Sequence, residues 1–327
     1  MTHTLNPSGI RAKAPRRPDG SFAKMMLDQC APLPPLSVAV AHPVHANAIQ
    51  AALDGAEADL LVPTLVGPEA KIRAAADAAG LDISPFDLVN SEHSHDAAAT
   101  ACKMAAEGRV QAVMKGALHS DEILSAVIRS RALRTERRIS HVYAMDVKTY
   151  HKPFLLTDAA ISIAPDLSAK VDILQNAIHL WHALFASQNR LPKAALLAAV
   201  ETVNPSMQVT LDAAALCKMA DRGQITDALL DGPLAFDNAI SRAAAEEKGI
   251  RSEVAGDADI LLAPDLEAGN IMGKQMTFFA EAEAAGLVLG ARVPVILTSR
   301  ADSRQTRLLS AALAVLYGDA RSRGMFT

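Results

Sequence analysis

The chain of 327 residues contains few aromatic residues, 4% in all, and only three cysteines. Cys30, Cys102 and Cys217 are far apart, show no C-x-x-C spacing and lie in stretches rich in alanine or leucine. We therefore expect them to be small core residues rather than metal ligands or nucleophiles. An odd number of cysteines without a disulfide framework is typical of a reducing compartment, so the cytoplasm is the expected location.

An excess of basic residues and long hydrophobic runs are missing as well. The net charge of −4 argues against a nucleic-acid-binding surface, although local lysines and arginines can still attract a small anion. No apolar run approaches the roughly 18 residues that span a bilayer, and the segment 1–35 lacks the continuous apolar stretch of a signal peptide. We expect neither nucleic acid nor a membrane among the partners.

Three site motifs are absent. The stretch "AGNIMGKQM" (268–276) is not a phosphate-binding P-loop, because three residues separate Gly269 from Gly273 and Gln275 follows Lys274. Neither the G-x-S-x-G of hydrolases nor the G-x-G-x-x-G of dinucleotide sites is found after a predicted strand. Asn270 stays open to two interpretations, a ligand contact at a helix start or a simple turn.

No arrangement of histidines or carboxylates predicts a metal site. The histidines lack the paired spacing of zinc sites, and His141, inside an apolar strand, is expected to be a hydrogen-bonded core residue. Asp257 and Asp259 precede a predicted strand whereas Asp265 follows it, so one ion cannot easily join all three. We interpret these carboxylates as solvated loop residues.

Half of the residues are hydrophobic, and short apolar runs alternate with helical patterns from residue 36 onward. This alternation predicts an α/β protein with mostly parallel sheets flanked by helices. Examples are the predicted strands 36–40 and 110–116 and the predicted helices 236–247 and 273–284. The clearest helix has one apolar stripe, which makes Trp181 a core residue. The stripe consists of Val171, Leu174, Ile178, Trp181 and Phe185.

Polar residues follow several predicted strands. Because ligands bind at the carboxyl ends of parallel strands, we expect these residues to share one cleft. In "VPVILTSRADSRQTR" (293–307), Ser299 and Arg300 stand between a strand and a helix start, where backbone amides and the helix dipole favour an anion. The other polar residues at such junctions are Lys115, His119, Ser120, Thr157, Asp158, Glu201, Asn204, Asp231, Asp265 and Asn270.

Five motifs match a known family, and the last three of them recur there in the same order and at similar separations. They are "VMKGALHSDEILSAVI" (113–128), "ISHVYAMDV" (139–147), "DGPLAFDNAIS" (231–241), "APDLEAGNIMGK" (263–274) and "LTSRADS" (297–303). From about Ser37 to the C-terminus the chain resembles the phosphate acetyl/butyryltransferases, and the arrangement of the motifs is nearer to the butyryltransferase-like branch.

The resemblance implies reversible transfer of a short acyl group between acyl-CoA and inorganic phosphate, giving acyl phosphate and CoA. The family reacts in a direct ternary complex, without a metal, a permanently bound cofactor or an acyl-enzyme. We expect acetyl, the commonest cellular acyl group, and keep a phosphate butyryltransferase as the alternative.

The resemblance also implies a homodimer and the two-domain fold of isocitrate and isopropylmalate dehydrogenases, with a cleft between the domains. The expected divisions are an N-terminal extension (1–35), domain I (36–148 plus 292–327) and domain II (149–291).

Ser299, Arg300 and Asp302 are the predicted catalytic residues. An arginine offers a phosphate or a thioester carbonyl a fork of donors, which suits Arg300. In the family, the serine that matches Ser299 hydrogen-bonds the CoA sulfur, and the thiol, with a pKa of about 8.5, needs help to lose its proton. The residues predicted to bind CoA or to supply positive charge are Lys115, Ser120, Asn204, Asn270 and Lys274.

The resemblance is incomplete at three positions. Acetyl-type members have an aspartate, assigned as the base that activates CoA, where this chain has Thr306. Two arginines of that branch correspond to Leu124 and Thr277. Asp302 is the nearest carboxylate that can replace the base, although a position at a helix start equally explains it as an N-cap.

Two other functions stay open. One is an NAD-dependent decarboxylating dehydrogenase of the same fold, which would need a divalent metal held by several aspartates. The other is a non-catalytic acyl-CoA binder, which the absence of an aspartate at Thr306 would allow.

Overall fold

The computed structural model describes residues 20–298 and 302–326, and one eleven-stranded sheet lies at the centre of this part of the chain. Its strands form mostly from short runs rich in Val, Leu and Ala. In chain order they are β1 (Leu36–Ala41), β2 (Leu61–Gly67), β3 (Asp87–Asn90), β4 (Ala112–Lys115), β5 (Ser140–Asp146), β6 (Phe154–Thr157), β7 (Lys193–Leu197), β8 (Leu229–Leu234), β9 (Ile260–Leu262), β10 (Glu283–Leu289) and β11 (Val295–Ile296).

Helices cover both faces of the sheet. They are α1 (Ser21–Cys30), α2 (Ala46–Glu57), α3 (Glu69–Ala79), α4 (Ser94–Ala106), α5 (Ser120–Arg129), α6 (Leu167–Phe185), α7 (Gln208–Asp221), α8 (Phe236–Ile240), α9 (Arg242–Glu247), α10 (Leu266–Phe279) and α11 (Arg304–Ser322). Three of the longer helices begin at a side-chain cap, which satisfies a free amide of the first turn. Asp166 caps α6, Asp265 caps α10 and Ser303 caps α11.

The sheet consists of two parallel groups that run in opposite directions. The strand order is β3-β2-β1-β4-β11-β10-β5-β6-β9-β7-β8. The first five of these strands are mutually parallel, and so are the last four. Between the groups, β11, β10, β5 and β6 pair antiparallel in succession. Because the strand direction reverses at each of these three pairings, β4 and β6 are antiparallel to each other.

The direction of the strands matters for the predicted cleft, because ligands bind at the carboxyl ends of parallel strands. The strands of the first group and those of the second point in opposite directions. The expectation that the polar junctions share one cleft stays a prediction. The prediction of a mostly parallel sheet between helices is confirmed.

Small aliphatic side chains fill the core on both faces, as the scarcity of aromatic residues requires. Along β1, Val38 and Val40 belong to the cluster that contains α6 and α11, whereas Ala39 and Ala41 belong to the cluster that contains α4. This alternation follows from the two-residue period of a strand. Trp181 is 1% exposed, which confirms it as a core residue.

Two predicted helices differ from the structure. The helix predicted at 273–284 begins earlier, at Leu266 after its cap, and ends at Phe279, because the apolar run that follows forms the buried strand β10. The helix predicted at 236–247 is broken at Ser241, whose hydroxyl caps the second half.

Helix α1 lies in the segment predicted as an N-terminal extension. Phe22 and Met26 of this helix are fully buried, and they belong to the same apolar cluster as residues of α11. The predicted domain boundaries near residues 149 and 291 stay predictions.

Candidate functional site

The end of β4 and the segment after β11 meet at the carboxyl end of these two neighbouring strands. Lys115 is the last residue of β4 and is 8% exposed. Its Nζ donates a hydrogen bond of 3.2 Å to the carbonyl oxygen of Thr298. A buried ammonium group therefore lies against the residue that directly precedes Ser299.

A cavity of about 150 Å³ lies beside this contact, and we call it the β4–α2 cavity. Lys115 and Thr298 line it, together with Arg307 of α11 and the first turn of α2. Gly116, directly after β4, also forms part of the wall. The backbone comes so close to β1 there that a Cβ atom at this position would collide with the carbonyl oxygen of Ala41. Two cationic side chains thus converge where the first strand group ends.

Asp302 is partly buried and lies directly before the first turn of α11. Its carbonyl oxygen accepts a hydrogen bond of 2.8 Å from Nη1 of Arg307. Ser303 is the cap of the helix, because its hydroxyl accepts from the amide of Thr306, so the alternative interpretation of Asp302 as the cap is wrong. Burial raises the pKa of Tyr143 on β5, and the charge of Asp302 raises it further. The phenol therefore stays protonated at neutral pH.

The predicted catalytic residues Ser299 and Arg300 lie outside the described residues. In the chain they follow Thr298, which lines the β4–α2 cavity, and they precede Asp302. Their roles stay predictions.

Ser120 is exposed at the first position of α5. The cap position belongs to His119, whose amide donates to the carboxylate of Glu122 at 2.9 Å. Ser120 is not among the residues that line the β4–α2 cavity. Its predicted contact with CoA stays a prediction.

In the second strand group, Asp158 follows β6 and Asn270 lies in the helix after β9, and both contact the same turn. Nδ2 of Asn270 donates to the carbonyl oxygen of Ala159 at 3.0 Å, and a Cβ atom at Gly269 would collide with the carbonyl oxygen of Asp158. The carboxylate of Asp158 accepts from the amides of residues 160–162 at 2.9 to 3.1 Å. Both polar side chains therefore hold one turn in place.

His141 of β5 lies near that turn and is 1% exposed. Burial lowers its pKa to about 4, against the opposing effect of the Asp158 charge. Its ring packs edge-on against the ring of Tyr143, with centroids 4.4 Å apart. The predicted core position of this histidine is confirmed, but the expected hydrogen bond is not found at Nδ1, which has no partner among the described residues.

Asn204 and Lys274 are not among the residues that line the β4–α2 cavity. Asn204 is exposed after β7, and its Oδ1 accepts from the amide of Ser206 at 2.9 Å, a local turn. Lys274 is exposed on α10. Both residues lie in segments that follow strands of the second group, and their roles in binding CoA stay predictions.

Asp257 and Asp259, at the amino end of β9, form an ion-pair network. Asp259 is 1% exposed and accepts two hydrogen bonds, of 2.6 and 2.8 Å, from the guanidinium of Arg190. Nζ of Lys152 lies 2.8 Å from both carboxylates, and Nζ of Lys193 lies 2.6 Å from Asp257. The interpretation of these aspartates as solvated loop residues is wrong, because cations from other segments surround them.

The described residues offer neither a metal centre nor a reactive thiol. Within 20–298 and 302–326, no three His, Cys, Asp or Glu residues are arranged to hold a metal ion. Burial raises the pKa of the Cys30 and Cys102 thiols to about 12, so they behave as the core residues expected. In the same part of the chain, no helix combines the length and apolar character that a membrane crossing requires.

Comparison with known proteins identifies the family. A family model described as "Phosphate acetyl/butaryl transferase" matches residues 92–315. The chain belongs to the phosphate acetyl/butyryl transferase family. The matched range contains both Lys115 and Arg307, the two cations of the β4–α2 cavity.

Relatives of this transferase family match over most of the chain. A phosphate acetyltransferase from Rhizobium meliloti is 51% identical over 313 residues, 95% of this chain and 98% of that protein. A phosphate butyryltransferase from Clostridium acetobutylicum is 39% identical over 280 residues, 85% and 92% of the two chains. The crystal structure of a branched-chain phosphotransacylase from Enterococcus faecalis V583 is 28% identical, covers 86% of this chain and 99% of its own, and has a TM-score of 0.75. This likeness confirms the predicted fold class.

The three positions at which the sequence is expected to depart from the acetyl-type pattern have structural contacts here. The hydroxyl of Thr306 lies 3.0 Å from that of the cap residue Ser303. Leu124 packs against an apolar cluster, and the hydroxyl of Thr277 donates to the carbonyl oxygen of Gly273. None of the three side chains can serve as a carboxylate base or as a cation.

Sequence reasoning missed Arg307, although a signal was present. The first turn of α11 contains Arg304 and Arg307 and no acidic residue, even though positive charge is unfavourable at a helix N-terminus. Asp54 of α2 is buried and accepts from Nε of Arg304 at 2.8 Å, and it lies 3.4 Å from Nη2 of Arg307. Two arginines in the first turn of a helix, where positive charge is unfavourable, are a sequence signal for a negatively charged group nearby.

Proposed function

We propose that this family member transfers an acetyl group reversibly between acetyl-CoA and inorganic phosphate. The observation that carries the proposal is the 51% identity to a phosphate acetyltransferase over 95% of the chain. A phosphate butyryltransferase is the second candidate, since one is 39% identical. Acyl preference depends on a few methylene contacts, which are worth only about 1–3 kcal/mol.

In the proposed reaction, a phosphate oxygen attacks the thioester carbonyl carbon. A C–O bond forms, the C–S bond breaks, and CoA leaves as a thiolate that takes up a proton. The hydroxyl of Ser299 would donate a hydrogen bond to the sulfur, and the guanidinium of Arg300 would bind an oxygen of the reacting groups. Lys115 supports the proposal as a buried ammonium that contacts Thr298, the residue before Ser299 in the chain, because each donor to a developing oxyanion contributes about 3 kcal/mol.

In the reverse direction a base has to remove the proton from CoA, and we assign this role to Asp302. Since Ser303 caps α11, the Asp302 carboxylate is not required there. Its charge also acts on Tyr143, which supports a position beside the central strands. No metal ion takes part in the proposed mechanism.

We assign the rest of CoA to the polar residues predicted from the sequence. Ser120 and Lys274 are exposed and accessible to a nucleotide. Asn204 and Asn270 already hydrogen-bond the backbone, so their contact with CoA would require those turns to rearrange.

The reaction is tested by following the thioester absorbance of acetyl-CoA, propionyl-CoA and butyryl-CoA. We expect loss of the thioester only when phosphate or arsenate is added, and the highest kcat/KM with acetyl-CoA. A higher kcat/KM with butyryl-CoA would favour the second candidate. Tight CoA binding without turnover would identify a non-catalytic binder. Chelator-sensitive reduction of NAD would identify a dehydrogenase.

We further propose a cytoplasmic homodimer that associates through α10. Ile271, Phe278 and Phe279 on this helix are 63%, 76% and 88% exposed. An apolar groove of about 1270 Å³, lined in part by Phe236 and Met276, lies beside them. Exposed apolar patches of this kind mark protein interfaces, and a second copy offers the same patch about a twofold axis. The three free cysteines suit a reducing compartment.

A further inference from the structure

The β4–α2 cavity has a strongly positive wall. Lys115 and Arg307 line it, and none of its lining residues within 20–298 and 302–326 carries a carboxylate. The first turn of α2 also contributes, because its cap residue His45 makes no side-chain cap hydrogen bond and the turn contains no acidic residue. The positive end of a 12-residue helix and two cations therefore face one space of about 150 Å³.

Arg307 is only partly neutralised by protein groups. Its side chain is 15% exposed. Nη1 donates to the carbonyl oxygen of Asp302 at 2.8 Å, and Nη2 lies 3.4 Å from the carboxylate of Asp54. Nε is buried and has no hydrogen-bond partner among the described residues. A buried N–H group without an acceptor is unfavourable, so an acceptor in the cavity would complete the environment of this arginine.

The stronger ion pair of Asp54 is made with the neighbouring residue. Nε of Arg304 donates to Asp54 at 2.8 Å, and the Arg304 side chain is 62% exposed. Arg304 is absent from the cavity wall. The charge of Asp54 is thus largely matched by Arg304, and Arg307 is left to face the cavity.

We propose that the β4–α2 cavity binds the inorganic phosphate, with Arg307 as its main ligand. This inference rests on the proposed function, because the anion is named as the acyl acceptor. Thr298 lines the same cavity and directly precedes Ser299 in the chain, so a phosphate there would contact the residue that leads into the segment assigned to the thioester. Arg307 would replace the cations that the chain lacks at Leu124 and Thr277.

A matched pair of variants tests the assignment. Arg307→Gln and Arg304→Gln each remove an arginine that contacts Asp54, but only the first changes the cavity wall. We expect Arg307→Gln to raise the KM for phosphate and for acetyl phosphate by about 10- to 100-fold. The KM for acetyl-CoA should stay within about twofold, as should all constants of Arg304→Gln.

A different result would overturn the assignment. Equal effects of the two arginine variants would make Arg307 a structural partner of Asp54 only. A raised KM for acetyl-CoA with an unchanged KM for phosphate would assign the cavity to a phosphate of CoA, and dephospho-CoA would then show whether the 3′-phosphate is the group involved.

Two further measurements keep the proposal testable if a variant fails to fold or if turnover is absent. Ala48→Leu adds an apolar side chain to the cavity wall without changing its charge, and we expect it to raise the KM for phosphate as well. Calorimetric titration of phosphate into the wild type and Arg307→Gln measures binding without the reaction. Phosphate binding that depends on Arg307, in a protein without acyl transfer, would support the site and contradict the proposed reaction.

Discussion

Nζ of Lys115 and the carbonyl oxygen of Thr298 are 3.2 Å apart, and this hydrogen bond joins the ends of two parallel strands directly before Ser299. It fixes a cation at the point where the phosphate and the thioester are proposed to meet. Holding reacting groups in one place accounts for a large part of enzymatic rate enhancement. The contact between Lys115 and Thr298 therefore links the fold of the first strand group to the proposed chemistry.

Replacing this lysine should affect the reaction more than the fold. Lys115→Met keeps the length of the side chain and removes the charge, and we expect kcat/KM for acetyl transfer to fall about 100-fold. The assay is the phosphate-dependent loss of acetyl-CoA, with thermal unfolding measured in parallel. Lys103→Met is the control, because Lys103 is 72% exposed on α4. Equal activity of the two variants would remove Lys115 from the site.

Removal of the Ser299 hydroxyl should change the chemical step rather than the binding of CoA. Ser299→Ala is expected to lower kcat about 100-fold, since a donor to the leaving sulfur is lost, while the affinity for CoA measured by calorimetry stays close to that of the wild type. Ser322→Ala, an exposed serine near the end of α11, serves as the control. Unchanged turnover of Ser299→Ala would exclude this residue from the mechanism.

Local sequence patterns predicted the elements that hold Lys115 and the stripe around Trp181. They could not predict that the two strand groups run in opposite directions, because this depends on β10 and β5. The apolar run Ala284–Leu289 is compatible with a buried strand or a helix end, and only its pairing with β5 decides between them.

Contacts between distant residues explain the other differences between sequence and structure. Asp259 looked like a solvated loop residue because its partner Arg190 is 69 positions away in the chain. Arg307 was missed for a similar reason, since its cavity contains residues of α2 and β4. The spacing of residues in one segment carries no information on such partners.

The buried network around Asp259 should make stability depend on acidic pH. Burial alone would raise the pKa of Asp259, but hydrogen bonds and charges from Arg190 and Lys152 outweigh it and lower the pKa. A lowered folded-state pKa stabilises the fold above the unfolded-state value of about 4, and this stabilisation is lost as the pH falls below it. Asp259→Asn should lower the free energy of unfolding by about 3 kcal/mol at pH 7.

The difference between wild type and Asp259→Asn should shrink below pH ~4, because the carboxylate then takes up a proton in the unfolded chain while it is still charged in the native protein. Denaturant unfolding at a series of pH values measures it. Asp28→Asn provides the comparison, because Asp28 is 62% exposed in its pair with Lys24 and such pairs contribute less than about 1 kcal/mol. A difference that stays constant down to pH 2 would contradict the proposed role of the charge.

The exposed aromatic residues of α10 predict the oligomeric state. Phe278→Ser combined with Phe279→Ser should convert the proposed dimer into monomers, because the apolar area available to an interface is removed. Light scattering coupled to gel filtration gives the mass of each form. Val62→Ser, a variant of an exposed apolar residue on β2, should leave the mass unchanged. A wild-type protein that is already monomeric would contradict this surface as a self-interface.

The close approach of β4 to β1 at Gly116 should make this glycine necessary for the site. A Cβ atom there would collide with the carbonyl oxygen of Ala41 and lie 2.9 Å from the backbone of His42. Because backbone atoms cannot turn aside, Gly116→Ala should lower the free energy of unfolding by about 1–3 kcal/mol and move Lys115 away from Thr298. Gly318→Ala is the matched control, since its Cβ would meet only the end of a leucine side chain, 3.0 Å away. Chemical denaturation measures the loss of stability, and the acetyl-transfer assay at a temperature where both variants are folded measures the effect of moving Lys115. Full activity of Gly116→Ala would show that the reaction does not need this strand contact.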